Sequence, residues 1–146
     1  MSAMTVVEAA PEPLPDLDTE GFWEATARGE IALGRCQSCR RWQHPPVERC
    51  RECAGPTAFE PISGAGSVYS FIVVHRASVP GFSGLLPYVI ALVELEEQPG
   101  LRLAARLVGV EPSEITIGQR LQGEITEVFG SEYRIPVFRP VATLAT

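Results

Sequence analysis

The chain has 146 residues and a mass of 15.8 kDa, room for one ordinary domain or two very small ones, which excludes an α/β barrel or a dinucleotide-binding domain with a companion domain. Forty-five per cent hydrophobic and 21% charged residues place it in the globular range and exclude wholesale disorder. All twelve basic residues are arginines, set against eighteen acids for a net charge of −6, the wrong sign for a protein that coats nucleic acid.

No stretch approaches the roughly 18 consecutive apolar residues of a membrane span, and the N-terminus lacks the basic and apolar regions of a leader, so a cytoplasmic protein is expected. Charge is unevenly spread. Residues 1–30 carry one arginine against seven acids, residues 31–65 five against three, and residues 66–146 six against eight. The only basic segment is the one that holds every cysteine.

Residues 1–17 interleave Pro11, Pro13 and Pro15 with acids and isolated aliphatics, a composition that reads as a flexible arm or linker. Residues 18–30 then predict a short helix, with acids in its first turn and Arg28-Gly29 at its end, exposing Phe22 and Trp23. A helix of about ten residues is marginal in water and must dock on something. Trp23 either packs on the chain's own body or serves a partner or ligand surface.

Cys36-Gln37-Ser38-Cys39 is followed after ten residues by Cys50-Arg51-Glu52-Cys53. Two Cys-x-x-Cys pairs present four thiolates from two tight turns, the donor set of a tetrahedral zinc ion. Disulfides are disfavoured in a cytoplasmic protein, and no βαβ pattern flanks either pair as a thioredoxin-like redox site would require. Residues 31–62 therefore predict a rubredoxin-like zinc ribbon, whose gap between pairs is bridged by the proline-restricted stretch from Trp42 to Val47. Four cysteine ligands close the coordination sphere, so the metal is structural. The formal −2 charge of such a site has five neighbouring arginines: Arg35, Arg40, Arg41, Arg49 and Arg51. They either donate to the sulfurs or bind phosphates of coenzyme A or nucleic acid, with Arg40 and Arg41 the phosphate candidates.

Residues 63–146 predict five strands, at Val68 to Val74, Tyr88 to Leu95, Leu101 to Val108, Leu121 to Val128 and Tyr133 to Phe138. A single helical turn around Pro112 separates the third from the fourth. This order suggests a five-stranded barrel of the oligonucleotide/oligosaccharide-binding (OB) kind. The whole is mainly β: a short N-terminal helix, a zinc ribbon, and an OB-fold barrel. Between the first two strands, Pro80 to Leu86 forms a glycine-rich, partly apolar loop whose Phe82 and Leu85 either cap the barrel or, with Phe22 and Trp23, anchor a partner.

No catalytic residue is assigned. The only histidines are His44, beside two prolines, and His75, at a strand end; lysine is absent, and no Gly-x-Ser-x-Gly, Ser-x-x-Lys or His-x-x-x-His motif occurs.

The order of motifs then becomes specific: Phe22-Trp23 on a helix, Leu33-Gly34-Arg35-Cys36, Pro45-Pro46, Cys50 to Gly55, Ser63 to Phe71, Val74-His75-Arg76, Pro87 to Leu95, and Pro136 to Pro140. Over roughly residues 20 to 140 the chain resembles the zinc-ribbon plus OB-fold family labelled domain of unknown function 35. It departs from the commoner pattern in having Arg40, not glycine, after the first cysteine pair. The resemblance implies Cys36, Cys39, Cys50 and Cys53 as zinc ligands. It also implies a non-catalytic accessory subunit of a thiolase-fold enzyme, thiolase or retro-aldolase, in lipid, steroid side-chain or polyketide metabolism. A hot-dog-fold enoyl-CoA hydratase is a second implied partner, with acyl-CoA contacted through the complex. A nucleic-acid-binding ribbon/OB protein is the alternative.

Overall fold

The structure, a computed structural model, describes residues 10–77, 79–128 and 131–142. The arm expected over residues 1–17 lies outside the described residues as far as residue 9; beyond it Ala10 is buried. At Asp16 the chain makes a tight turn: the Asp16 carboxylate accepts from the backbone N–H groups of Asp18 and Thr19 and from the Thr19 hydroxyl. Those bonds, the Thr19 hydroxyl foremost, hold the Asp16 carboxyl below its ordinary range.

That turn launches α1 (Glu20–Ala27). The helix stops in a Schellman arrangement, with the Glu30 N–H on the Ala25 carbonyl, the Gly29 N–H on Thr26, and Gly29 at φ +83°. Its buried side is Ala25 and Thr26. Gly21 lies so close to the Phe59 ring that a Cβ there would overlap it, so glycine lets the helix lie flat on the ribbon. Phe22 and Trp23, expected to be exposed, are half-buried. Phe22 packs on the core, and the Trp23 indole meets the Tyr133 ring edge-on at 5.8 Å. The eight-residue helix thus finds its support on its own chain.

Two sheets follow. The ribbon sheet has the order β2 (Trp42–Gln43), β1 (Ala32–Cys36), β3 (Thr57–Pro61), all antiparallel. The second is a closed barrel of β4 (Ala65–Val74), β5 (Tyr88–Leu95), β6 (Arg102–Leu107), β8 (Arg134–Pro140) and β7 (Arg120–Glu127), in that order around the wall. β8 runs parallel to β6 and antiparallel to β7, and β7 returns to β4. This is the five-stranded OB topology, and the single helical turn expected between the third and fourth barrel strands is the 3₁₀ turn Pro112–Glu114.

Strict alternation fills the barrel. Val89, Ala91, Val93 and Leu95 of β5 point inward beside Leu103, Ala105 and Leu107 of β6, with Leu121 and Phe138 closing the far wall. Burying each large side chain contributes about 1.5–3 kcal/mol. Ile31, Leu33 and Trp42 of the ribbon belong to the same core cluster, so the two lobes share one continuous interior. Two local features weld them. Gly123 leaves the space into which Ile31 packs against Phe138, and the Gln98 side-chain amide pairs with both the N–H and the carbonyl of Trp42, at 2.9 and 3.1 Å. Among the described residues no helix is long and apolar enough to cross a membrane.

Candidate metal centre

Cys36 ends β1 and starts a tight turn, because the Arg40 N–H returns to the Cys36 carbonyl while the Cys36 N–H donates to Arg41. The second pair repeats it: the Ala54 N–H returns to the Cys50 carbonyl and the Cys50 N–H donates to Gly55. Arg40 and Ala54 are the two non-glycine residues with positive φ among those described, at 66° and 60°. Each follows the second cysteine of its pair, where the chain must turn back. In both turns the first cysteine is buried and the second exposed. Gly55 lets the turns close on each other, since a Cβ there would press on the Ser38 side chain and the Cys36 Sγ.

The four sulfurs lie within 4.8 Å of one another, with Cys36 to Cys53 at 3.4 Å and Cys39 to Cys50 at 3.7 Å. A disulfide needs about 2.05 Å. A tetrahedron with metal–sulfur bonds of about 2.3 Å has edges of about 3.8 Å, which these separations fit. Titration points the same way. The Cys39 N–H draws the Cys36 thiol down to about 6. The Arg41 N–H also lowers Cys39, but desolvation and the three neighbouring thiols push it up to about 11. Thiolates this close repel one another, and a divalent ion among them removes the conflict.

Of the two roles left open for the arginines, donation to the sulfurs is not seen among the described residues. The N–H groups on Cys36 Sγ are the backbone amides of Ser38 and Cys39, and that on Cys50 Sγ is Glu52, all at 3.4 Å. Arg40 instead meets Glu60 of β3 at 2.8 Å and Gln37 at 3.3 Å. Arg35 stacks over the Trp42 ring at 4.6 Å and approaches Glu60 at 3.6 Å. Glu60 is thereby held below the ordinary carboxylate range, by the Gln37 amide foremost and then by Arg40 and Arg35. No sequence pattern announces this clamp, because it needs both the β1–β3 register, which sets Glu60 opposite Leu33, and the turn after Cys36 that folds Arg40 back toward it.

Arg41 stands apart from Arg40. Half-exposed and 4.0 Å from Glu52, it lines a recess of about 230 Å³ with Arg51, Trp42 and His44. Burial pushes the His44 imidazole down, toward its neutral form. Phe82 and Leu85 lie far along the chain from the cysteines, in the loop before β5. Both are half-buried, with the Phe82 ring 5.8 Å from Tyr88.

Residues 23–60 match the family described as ChsH2, rubredoxin-like zinc ribbon domain, and residues 59–126 match ChsH2, C-terminal OB-fold domain. The chain is 38% identical over 132 residues to a probable enoyl-CoA hydratase alpha subunit of Thermomonospora curvata, covering 89% of this chain and 40% of that protein. It is 37% identical over 112 residues to the 3-oxo-4,17-pregnadiene-20-carboxyl-CoA hydratase alpha subunit of Mycobacterium tuberculosis, covering 76% of this chain and 34% of that one. It thus spans well under half of these two curated relatives. A DUF35 domain-containing scaffold protein of Methanocaldococcus jannaschii is 40% identical over 90 residues, 60% of this chain and 62% of that protein. Among solved structures, a chain of the Ltp2-ChsH2(DUF35) aldolase superposes with a TM-score of 0.81 at 36% identity, over 90% of this chain and 100% of that one.

Proposed function

Because the chain belongs to the ChsH2/DUF35 family of zinc-ribbon plus OB-fold proteins, we propose that it is a non-catalytic accessory subunit of a thiolase-fold enzyme and supports that enzyme's binding of acyl-CoA. The observation that carries the reading is the likeness, over 90% of this chain, to the whole of a chain solved as part of an aldolase. The hydratase and scaffold names of the other relatives agree with a supporting role in CoA-thioester metabolism, steroid side-chain breakdown included.

Cys36, Cys39, Cys50 and Cys53 hold the zinc, which when bound cross-links the two turns and has no open position for a reacting group. What the chain's own residues offer is a framework. The ribbon and barrel are locked through one core, and the ribbon presents Arg41 and Arg51 beside a recess where the phosphates of a CoA nucleotide find charge-assisted donors. Arg40, committed to Glu60, contributes less to that contact than Arg41. Changing Arg41 to Ala in the assembled complex should raise KM for acyl-CoA, leave kcat nearly unchanged, and leave an acyl-pantetheine lacking the nucleotide unaffected. Equal losses on both substrates would assign Arg41 to assembly.

The test of the main reading is purification of the tagged chain from its native host with identification of the bound protein. A stoichiometric thiolase-fold enzyme is expected. Recovery of the chain alone, or with nucleic acid that is released steeply by salt, would contradict it.

A further inference from the structure

The exterior of the barrel is covered unevenly. α1 lies against β8 and the ribbon core joins the barrel through Ile31 and Trp42, while the outer face of β4, β5 and β6 has neither α1 nor a ribbon strand packed extensively against it among the described residues, and its β5 side chains Tyr88, Ile90 and Leu92 are half-exposed. A strand with one wall in water alternates apolar and polar residues. β5 does not: Val89, Ala91 and Val93 face the core, yet Tyr88, Ile90 and Leu92 on the outer face are apolar as well.

The register shows how these side chains combine. Across the outer face Leu92 sits between Ser70 of β4 and Ala104 of β6; the next row places Ile90 between Ile72 and Arg106; the last sets Val74 beside Tyr88. Ile72 is 63% exposed and Tyr69, at the β4 bulge, 45%. Phe82 extends the patch by packing on Tyr88, which joins the apolar loop before β5 to the same surface.

We infer that this outer face of β4–β5–β6 is where the partner enzyme docks, a proposal that rests on the accessory-subunit reading above. The barrel is closed, so no strand edge is open for pairing and recognition is by side chains. The centre of the face is aliphatic, and of the aromatics around it Tyr69 is already stacked under Arg102 at 3.6 Å and Phe82 packs on Tyr88; together with the net charge of −6 this argues against a nucleic-acid strand. The charges at the margin define the occupant further. Arg106 flanks Ile90 and makes no ion pair among the described residues, and the exposed His75-Arg76 follows directly on Val74. A second copy of this chain would bring these cations against their own counterparts. The occupant that fits is an apolar patch with carboxylates at its rim on the thiolase-fold subunit.

The test titrates the purified enzyme that accompanies the wild-type chain against three full-length, zinc-loaded proteins: wild type, Ile72→Glu, and Leu17→Glu. Leu17, 88% exposed, lies before α1 beside a recess lined by Gly21, Gly34 and Phe59, on the helix and ribbon side of the molecule, which makes it an exposed control away from β4–β6. Ile72→Glu should raise Kd at least tenfold with an unchanged melting temperature, while Leu17→Glu stays within twofold. A smaller effect at Ile72, or an equal loss at Leu17, overturns the surface while leaving the accessory role standing. If the wild-type chain binds no thiolase-fold enzyme at all, it is the accessory role that fails. Self-association of the chain that Ile72→Glu abolishes would assign the face to a second copy and also overturn the proposal.

Discussion

Arg40 and Ala54 carry a left-handed backbone that costs a residue with a Cβ about 1–2 kcal/mol relative to glycine. Glycine gives back roughly 0.5–1 kcal/mol through its freer unfolded chain. Ala54→Gly should therefore stabilise the zinc-loaded protein by about 0.5–1 kcal/mol, measured as a rise in the urea midpoint at constant slope. Arg40→Gly should gain less, because it also removes the contact with Glu60. A larger gain at Arg40 would mean that the Glu60 clamp contributes nothing. The clamp has its own pH signature. The folded-state pKa of Glu60 is depressed, so its contribution is complete above the unfolded carboxylate value and is lost as pH falls through the folded one. The stability difference between wild type and Glu60→Gln should accordingly be constant near neutrality and shrink below about pH 4. The cysteine spacing made the metal ligands legible in the sequence, and the missing glycine after Cys39 was visible as well. The arginine partners were not, since they depend on the β1–β3 pairing that sets Glu60 opposite Leu33, within reach of Arg35 and Arg40.

At the scale of elements, the joint between ribbon and barrel is Gln98. It supplies β2 with the donor and acceptor that a neighbouring strand would otherwise provide. Gln98→Ala strands a part-buried N–H and carbonyl at a cost of about 1–3 kcal/mol. Amide exchange at Trp42 should accelerate while the zinc content holds; unchanged exchange there would show that water replaces the side chain at no cost. The five barrel strands were readable to within a few residues because β-branched and aromatic runs alternate with clear turns. β3 was missed. Thr57 to Pro61 mixes Glu, Pro and small residues, and its strand character comes from pairing with β1, whose sequence lies more than twenty residues away. The start of β4 was read three residues late, at Val68 instead of Ala65. Gly66 there looks like turn sequence, yet it is required because the Glu94 carbonyl and the Val93 side chain fill the space of a Cβ.

For the molecule as a whole, the shared core makes the metal a determinant of global stability. Zinc binding to the folded ribbon is linked to folding, and Ile31, Leu33 and Trp42 carry that linkage into the barrel interior. Chelation should shift the thermal transitions of ribbon and barrel downward together, and Cys36→Ser should abolish zinc retention. A barrel transition indifferent to the chelator would separate the two lobes energetically, and less than about half an equivalent of zinc in protein purified under reducing conditions would contradict the four-sulfur site. The order of ribbon and barrel was legible from the motifs. The apolar exterior of β5 was also written there, as a run apolar at both parities, but it reads as surface only once the barrel closes and shows which parity faces out.

Whether this chain is an accessory subunit without chemistry of its own is decided by measuring acyl-CoA turnover with the purified thiolase-fold partner alone, this chain alone, and the two combined. No turnover is expected from the chain and little from the partner, with a large gain on combining them in the stoichiometry of their complex. Turnover by the isolated chain, or a partner whose rate and KM it leaves unaffected, would rule out the accessory role.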